Sequence, residues 1–561
     1  MGLTGTATIV LHTHLPYCRL AGRWPHGEEW FHEAMLECYL PLLSAFQGLA
    51  SELGGSLGVT MNITPILAEQ MKDPVMIANA RTYLADRVDR AERDCERFPA
   101  PDGRAATARF HRERYRASQA VFEAAGGDIA SAFSRLEASG HIELATSAAT
   151  HGYLPLLDDD DAVRFQIETG AASHIRNFGR APRAFWLPEC AYRPGLEREL
   201  ERSGIRVFFV ETHLVTGGKA RGKAADAVIG PYPAATTVSK PAELAPQCGT
   251  TFRPYSVGTS KVAVLARNER SGKQVWSASH GYPGDGRYRE FHKKDDDSGL
   301  HYWRVTGAGA GLGEKALYDA PAALALAREH GAHFTGVVRE ELAAHEAQAG
   351  SPGIVMASYD TELFGHWWLE GVPWLREVIR RLRLDDSVAL RTASEYVHQA
   401  APLQAIDLPE GSWGEGGDHR TWLNAETAWM WPEIRRRQTA AKTLLAADTR
   451  AARQLARELL LLQASDWQFL VTTGQAKDYA IERFRGHLAR FDLVAQTIMA
   501  GTEDGVLAEI ERLDNPFAAI DPLGYAAAPP RGPASRSVPP VADPANLTSR
   551  VDPANLTSRV D

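Results

Sequence analysis

From residue 6 to about 400 the chain alternates short runs rich in β-branched and aromatic residues with longer stretches of helical periodicity, and this alternation restricts the fold more than any other feature. Strand–helix repetition predicts an α/β architecture on a parallel sheet, because parallel neighbours need a crossover connection. The predicted strands are Thr6–Leu11, Ser56–Ile63, His141–Thr146, a run from Pro182, Ile205–Val210, Lys261–Ala266 and Gly353–Ala357. Predicted helices start at Pro41 (with Leu42, Leu43, Phe46, Leu49 and Leu53 on one face), run as one Arg-, Glu- and Ala-rich stretch from Met76 to Leu136, and cover Ala162–Phe178, Pro194–Ser203 and Phe334–Ala349. Residues 215 to about 250 and 268 to 320 break the alternation; long irregular segments in compact domains usually serve as lids or substrate walls. The acidic runs Asp158–Asp161 and Lys293–Asp297 read as solvated loop charge, not metal sites.

Beyond residue 400 the character turns helical, with Ile481, Phe484, Leu488, Phe491, Val494 and Ile498 spaced three or four apart as one apolar face requires. The predicted organisation is a sheet domain over 1–400, with a helical insertion at about 76–136 and a loop or insertion at about 215–260, then a C-terminal helical domain over 401–525. Residues 526–561 are Pro-, Ala- and Ser-rich and end in a direct repeat, Asp543–Val551 and Asp552–Val560, which predicts a disordered tail. A net charge of −9 over 561 residues argues against nucleic acid or an anionic membrane as partner. The apolar run Ala7–Leu11 is too short for a signal peptide or a membrane span, and five cysteines without a C-x-x-C pair read as reduced thiols, so a cytoplasmic location is expected.

Two acids stand just beyond strand-like runs among aromatic residues: Glu189 in Phe185-Trp186-Leu187-Pro188-Glu189-Cys190-Ala191-Tyr192, and Asp360 in Ser358-Tyr359-Asp360-Thr361-Glu362-Leu363-Phe364-Gly365-His366-Trp367-Trp368. Paired carboxylates about 5 Å apart cleave a glycosidic bond with retention, one attacking the anomeric carbon and the other protonating the leaving oxygen. Other candidates also lie at strand ends, where βα loops converge on one mouth: His12 and His14 after the first strand, His151 and Tyr153, His213, and Arg267. The imidazoles are candidates to bond sugar hydroxyls or the nucleophile, and Arg267 to hold a carboxylate ionised; a structural Arg–Asp pair is the alternative for Arg267. His12-Thr13-His14 also suits zinc, but no third ligand lies nearby in sequence. Trp276, Trp413, Trp422 and Trp467 occupy polar or Gly-rich contexts and are candidate sugar platforms, with core packing as the alternative.

These motifs resemble the family 57 glycoside hydrolases, and within them the 1,4-α-glucan branching enzymes, over about residues 5–520. The first motif is matched by His12-Thr13-His14-Leu15-Pro16-Tyr17, the second by His141-Ile142-Glu143-Leu144 through His151-Gly152-Tyr153-Leu154-Pro155, and the third and fourth by the segments around Glu189 and Asp360; the fifth falls near Trp413–Trp422 or on Asp466-Trp467. The resemblance implies an incomplete (β/α)7 TIM-like barrel with a small inserted domain and a C-terminal all-helical domain, Glu189 as nucleophile and Asp360 as general acid/base. It further implies α-1,4-glucan donor and acceptor chains as substrates, no metal or other cofactor, tryptophans and Asp466 lining the acceptor cleft, and a mobile loop within 215–260 whose tip tyrosine is Tyr232 or Tyr255. The alternatives are an α-amylase or 4-α-glucanotransferase with the same acids, and, more distantly, a non-catalytic glucan-binding protein.

Overall fold

The computed structural model describes residues 3–220, 243–245, 249–277, 281–307, 309–501 and 505–525. Its centre is the strand Gly5–Thr13, buried at every position, as its unbroken run of apolar and β-branched residues demands of a strand covered on both faces. Parallel partners lie on both sides: Gly353–Asp360 with Gly5 opposite Gly353 and His12 opposite Asp360, and Val59–Ile63 with Ile9 opposite Val59. Continuing outward come Ile142–Ser147, Ala184–Trp186, Val207–Val210 and Ala263–Ala266, giving a parallel path in the order 353, 5, 59, 142, 184, 207, 263 by first residue, with the short strand Val388–Leu390 also parallel to Gly5–Ala7. The sheet then takes Tyr255–Val257 antiparallel to Ala263–Ala266, and Gln404–Ile406 parallel to that. The result is a curled, open half-barrel of the expected class, with all strand C-termini of the parallel set at one end. Tyr255, proposed for a loop tip, is instead buried in the sheet, its hydroxyl accepting from Thr250 N at 2.8 Å. Tyr232 and the repeat-bearing tail lie outside the described residues.

Three helical expectations need correction, the simplest being that the helix expected over Phe334–Ala349 already starts at Ala320. The stretch from Met76 to Leu136 is three helices, Pro74–Arg97, Ala105–Ala124 and Ile129–Ala138, broken where Pro99, Pro101 and Gly103 cluster and where Gly126 and Gly127 adopt φ of 64° and 80°. Asp73 and Asp128 cap the first and third by accepting from backbone N–H groups one turn in. The helix expected from Pro41 begins earlier, at Glu28, and passes through a π-helical turn, Met35–Tyr39, before Leu40–Leu53. Pro41 has no N–H to give the Glu37 carbonyl, which accepts from Arg114 Nη2 at 3.2 Å instead. The run around Asp295 is not solvated: Asp295 is 8% exposed and paired with Arg97.

The C-terminal segment folds as helices Met430–Leu444, Arg450–Leu462, Asp466–Thr473, Lys477–Ala500 and Gly505–Leu513. Phe484, Phe491 and Val494 of the anticipated apolar face are buried. These helices share a core with Tyr17, Ile66 and Phe165, which presses their loops against the strand ends. Among the described residues, no helix is long and apolar enough to cross a membrane.

Candidate active site

Glu189 sits in the turn Pro188–Cys190 directly after Ala184–Trp186. Glu189, Cys190 and His151 hold φ of 61°, 48° and 57°, left-handed conformations that cost a non-glycine residue about 1–2 kcal/mol each and are kept only where surrounding structure enforces them. The enforcement is visible. Trp413 N donates to the Glu189 carbonyl at 3.1 Å, and Tyr192 and Gly411 exchange a pair of backbone hydrogen bonds of 2.8 and 3.1 Å. The Glu189 side chain keeps 13% exposure; its Oε2 accepts from Trp413 Nε1 at 2.8 Å, and its Oε1 lies 3.3 Å from Ser465 Oγ and 3.8 Å from His151 Nδ1.

Asp360 closes its strand opposite His12, so the two backbones are one inter-strand spacing apart, about 4.8 Å. It remains partly exposed. The turn after it is anchored at several points: Thr361 Oγ1 and Thr13 Oγ1 bond at 2.7 Å, Cys38 Sγ donates to Thr361 O at 3.1 Å, and Glu362 Oε1 accepts from Tyr39 Oη at 2.6 Å and from His14 N at 3.2 Å. Cys38 and Tyr39 belong to the π-helical turn, and Gly365, at φ 95°, passes so close to the Glu37 carbonyl that a Cβ would stand 2.0 Å from its oxygen. The irregular helix thus grips the segment that follows Asp360. Burial, with the Asp360 charge adding to it, pushes the Glu362 carboxyl up to about 8.

The histidines join the two acids. His12 Nε2 and His151 Nε2 are 3.1 Å apart, and the His14 and His151 rings stack at 3.9 Å. His14 spans Thr64 Oγ1 and Asp466 Oδ1, both at 3.0 Å. Burial pushes the His14 imidazole down, but Asp466, with Glu189 and Glu362 adding, brings it above its ordinary value. His151 is held well below its ordinary value by burial and by the two neighbouring rings. Asp360, His12, His14, His151, Glu189, Trp413 and Asp466 are therefore one constellation, with neither candidate acid sealed from solvent. Both His14 nitrogens and His12 Nδ1 are occupied by hydrogen bonds to Thr64, Asp466 and Asn62. A buried trio elsewhere, Glu458, His487 and Asp514, is compact enough for a cation, but Arg490 Nε already stands 2.6 Å from Asp514 Oδ2.

Several expected residues sit differently. Arg267 is 1% exposed and holds neither Glu189 nor Asp360: Nη1 donates to Glu211 Oε2 and Nε to Ser358 Oγ, both at 3.0 Å, while its guanidinium lies 5.1 Å from the Trp413 ring. Trp422 and Trp467 are wholly buried, Trp422 stacked on Tyr153 at 4.3 Å and Trp467 donating to Leu461 O at 2.8 Å; an indole with no open face offers a sugar no platform here. Trp276 is 5% exposed within the sheet's apolar core. Trp24, on the loop after the first strand and passed over in the sequence, is 78% exposed. Glu211, Ser465 and Asn62 were also passed over. Glu211 follows Val210 at a strand end, so the rule that flagged His213 applies to it equally; Ser465 carries no sequence signal beyond lying next to Asp466.

A sequence model of glycosyl hydrolase family 57 matches residues 8–297, and one of the 1,4-α-glucan branching enzyme C-terminal domain matches 431–525. The chain belongs to glycosyl hydrolase family 57. It is 42% identical to a 1,4-α-glucan branching enzyme of Thermococcus kodakarensis over 543 residues, 92% of this chain and 78% of that protein. The crystal structure of that organism's family 57 branching enzyme, in complex with glucose and additives, superposes with a TM-score of 0.86 over 94% of this chain and 98% of the other. A family 57 branching enzyme from Pyrococcus horikoshii follows at 0.84 and 38% identity (96% and 100% covered), and the α-amylase AmyC of Thermotoga maritima at 0.79 and 28% (93% and 99%). The half-barrel and the helical C-terminal segment are thus those of the family.

Proposed function

We propose that the chain is a 1,4-α-glucan branching enzyme of the cytoplasm, working by a two-step retaining transfer. The observation that carries the chemistry is the Glu189 carboxylate, clamped by Trp413 Nε1 at 2.8 Å and tied through His151 and His12 to the strand end bearing Asp360. The branching outcome is supported by the match of residues 431–525 to the branching-enzyme C-terminal domain and by relatives of that name over nearly the whole chain. Glu189 attacks C1 of an α-1,4-linked glucan while Asp360 protonates the departing O4, forming a glycosyl-enzyme ester. Asp360, now a base, takes the proton from an acceptor O6, and that oxygen displaces Glu189 to give an α-1,6 branch. Splitting the transfer in two lets each displacement proceed against a positioned group, and Asp466, bonded to His14, raises that imidazole above its ordinary value near Glu189.

Incubation with amylose tests the reading. Branching lowers iodine staining and creates debranching-sensitive linkages with few new reducing ends; a rise in reducing ends instead identifies an amylase, and no change identifies a binder. Glu189→Gln removes activity while leaving the fold intact, and near-normal turnover in that variant refutes the assignment of the nucleophile.

A further inference from the structure

The indole that reaches Glu189 belongs to a tight turn, and the turn is held at both ends. At its start Gly411 exchanges backbone hydrogen bonds with Tyr192, and Trp413 N donates to the Glu189 carbonyl. At its far end stands Gly417. Its carbonyl accepts from Ser412 N at 3.0 Å and its N–H donates to Gly414 O at 2.9 Å, so both chain neighbours of Trp413 are bonded to this one residue. The same carbonyl faces His213 Nε2 at 3.2 Å. A carbonyl oxygen only accepts, so Nε2 carries the hydrogen. His213 lies in the short helix Thr212–Thr216 after the strand Val207–Val210, the neighbour in the sheet of the strand that leads into Glu189. Its ring is wholly buried, so it offers nothing to a sugar hydroxyl, the role its place after a strand suggested. The turn packs closely against it. Gly416 and Gly417 hold φ of 76° and 80°, and a Cβ on Gly417 would stand 2.7 Å from both His213 Nε2 and the Ala220 methyl, as one on Gly411 would stand 3.0 Å from Leu214 Cδ1.

We propose that His213 is a positioning residue for Trp413: by holding the Gly417 carbonyl to the end of a barrel strand, it fixes where the indole N–H meets the Glu189 carboxylate. The proposal rests on the reading of Glu189 as nucleophile and of Trp413 as its clamp. A turn tied at Gly411 but released at Gly417 pivots about its near end, and the indole, carried between the two, moves with it. Small rotations matter because a hydrogen bond weakens steeply as its angle closes. The same strand end reaches the indole by a second route, since Glu211 pairs with Arg267, whose guanidinium lies 5.1 Å from the Trp413 ring. Burial holds the His213 imidazole below its ordinary value, so the ring is neutral and the hydrogen it gives to Gly417 is the one it has.

A double-mutant cycle on the full chain tests this. On amylose, kcat and KM are measured from the formation of debranching-sensitive linkages for His213→Leu, Trp413→Phe and the two together, with calorimetry to confirm folding. His213→Leu keeps the bulk and loses the donor; the expected result is a fall in kcat of about three- to tenfold, as the loss of one hydrogen bond gives, with KM within about twofold. His213→Gln, whose amide nitrogen reaches the place of Nε2, recovers most of that loss. With Phe at position 413 no indole N–H remains to be misplaced, so adding His213→Leu lowers kcat by less than about twofold further. Fully multiplicative losses in the double variant, a His213→Leu kcat within about twofold of wild type, or a Gln variant as impaired as Leu at an unchanged Tm each overturn the proposal. A Trp413→Phe kcat equal to wild type removes the clamp and this proposal with it. If the Leu variant does not fold, His213→Asn, polar but too short to reach Gly417, takes its place in the cycle with the same expectations. Glu189→Gln separates the two levels. If that variant is active, the nucleophile assignment falls; if it is inactive while the cycle is multiplicative, only the role of His213 falls.

Discussion

Replacing Trp413 by Phe isolates one hydrogen bond on Glu189, the proposed nucleophile. The indole N–H is 2.8 Å from Glu189 Oε2, whereas Ser465 Oγ is 3.3 Å from the other oxygen, Oε1, and also lies 2.9 Å from His151 Nδ1. A hydrogen bond to a charged group contributes about 1.5–3 kcal/mol, which corresponds to a fall in kcat of about ten- to hundredfold if the bond orients the attacking carboxylate. Phe retains an aromatic ring at the contacts with Trp186 at 5.2 Å and Arg267 at 5.1 Å, and the smaller ring forfeits only about 1–2 kcal/mol of packing. With an unfolding entropy of about 2.1 cal/mol/K per residue, that loss lowers the Tm of a chain this long by only about 1–2 °C. The assay is the initial rate of formation of debranching-sensitive linkages on amylose, analysed as kcat and KM, with calorimetry in parallel. A kcat within twofold of wild type beside the small Tm drop refutes the clamp. A large rise in KM with kcat unchanged shows that Trp413 serves as a sugar platform instead.

Glu362→Gln tests the buried carboxyl behind Asp360. In the folded protein Glu362 keeps its proton to about 8, whereas the unfolded chain releases it near 4.5, so between these values the native state binds more protons and stability falls as pH rises; the Gln variant, whose amide oxygen still accepts from Tyr39 and His14 N, shows a flatter Tm–pH curve across that window, and an unchanged slope refutes the assignment. Glu211→Gln leaves the Arg267 guanidinium buried without its counter-charge, a loss of about 3–5 kcal/mol of stability seen in denaturant titration, and it also lowers kcat because Arg267 underlies Trp413. An Arg267→Met change added to it recovers stability but not activity; recovery of both shows the pair to be scaffolding alone.

The order of strands and helices was legible in the sequence because a strand covered on both faces must be a continuous apolar run and a surface helix must repeat its apolar residues every three or four positions. Glu189 and Asp360 were legible for a related reason: a carboxylate just past such a run, among aromatic residues, lies where the strand ends converge. The helix breaks at Pro99–Gly103 and Gly126-Gly127 were as plainly written, but the Arg-rich periodicity running across them masked the punctuation. Partners were not legible. The Trp413 and Ser465 side chains reach Glu189 across 224 and 276 residues of chain, and Asp466 reaches His14 across 452. Local pattern encodes which face of an element is buried but not what buries it. Arg267 was expected to hold a site carboxylate, yet the register of Val207–Val210 beside Ala263–Ala266 brings Glu211 to it instead. The same limit explains the tryptophans: composition marked all four as unusual, and packing alone turned Trp413 onto the carboxylate while closing Trp422 and Trp467 into the core. Sequence by itself determined the barrel's elements and the two acids at its mouth; tertiary structure decided their hydrogen-bond partners, because those contacts arise from elements that meet only when the sheet curls and the C-terminal helices close over its strand ends.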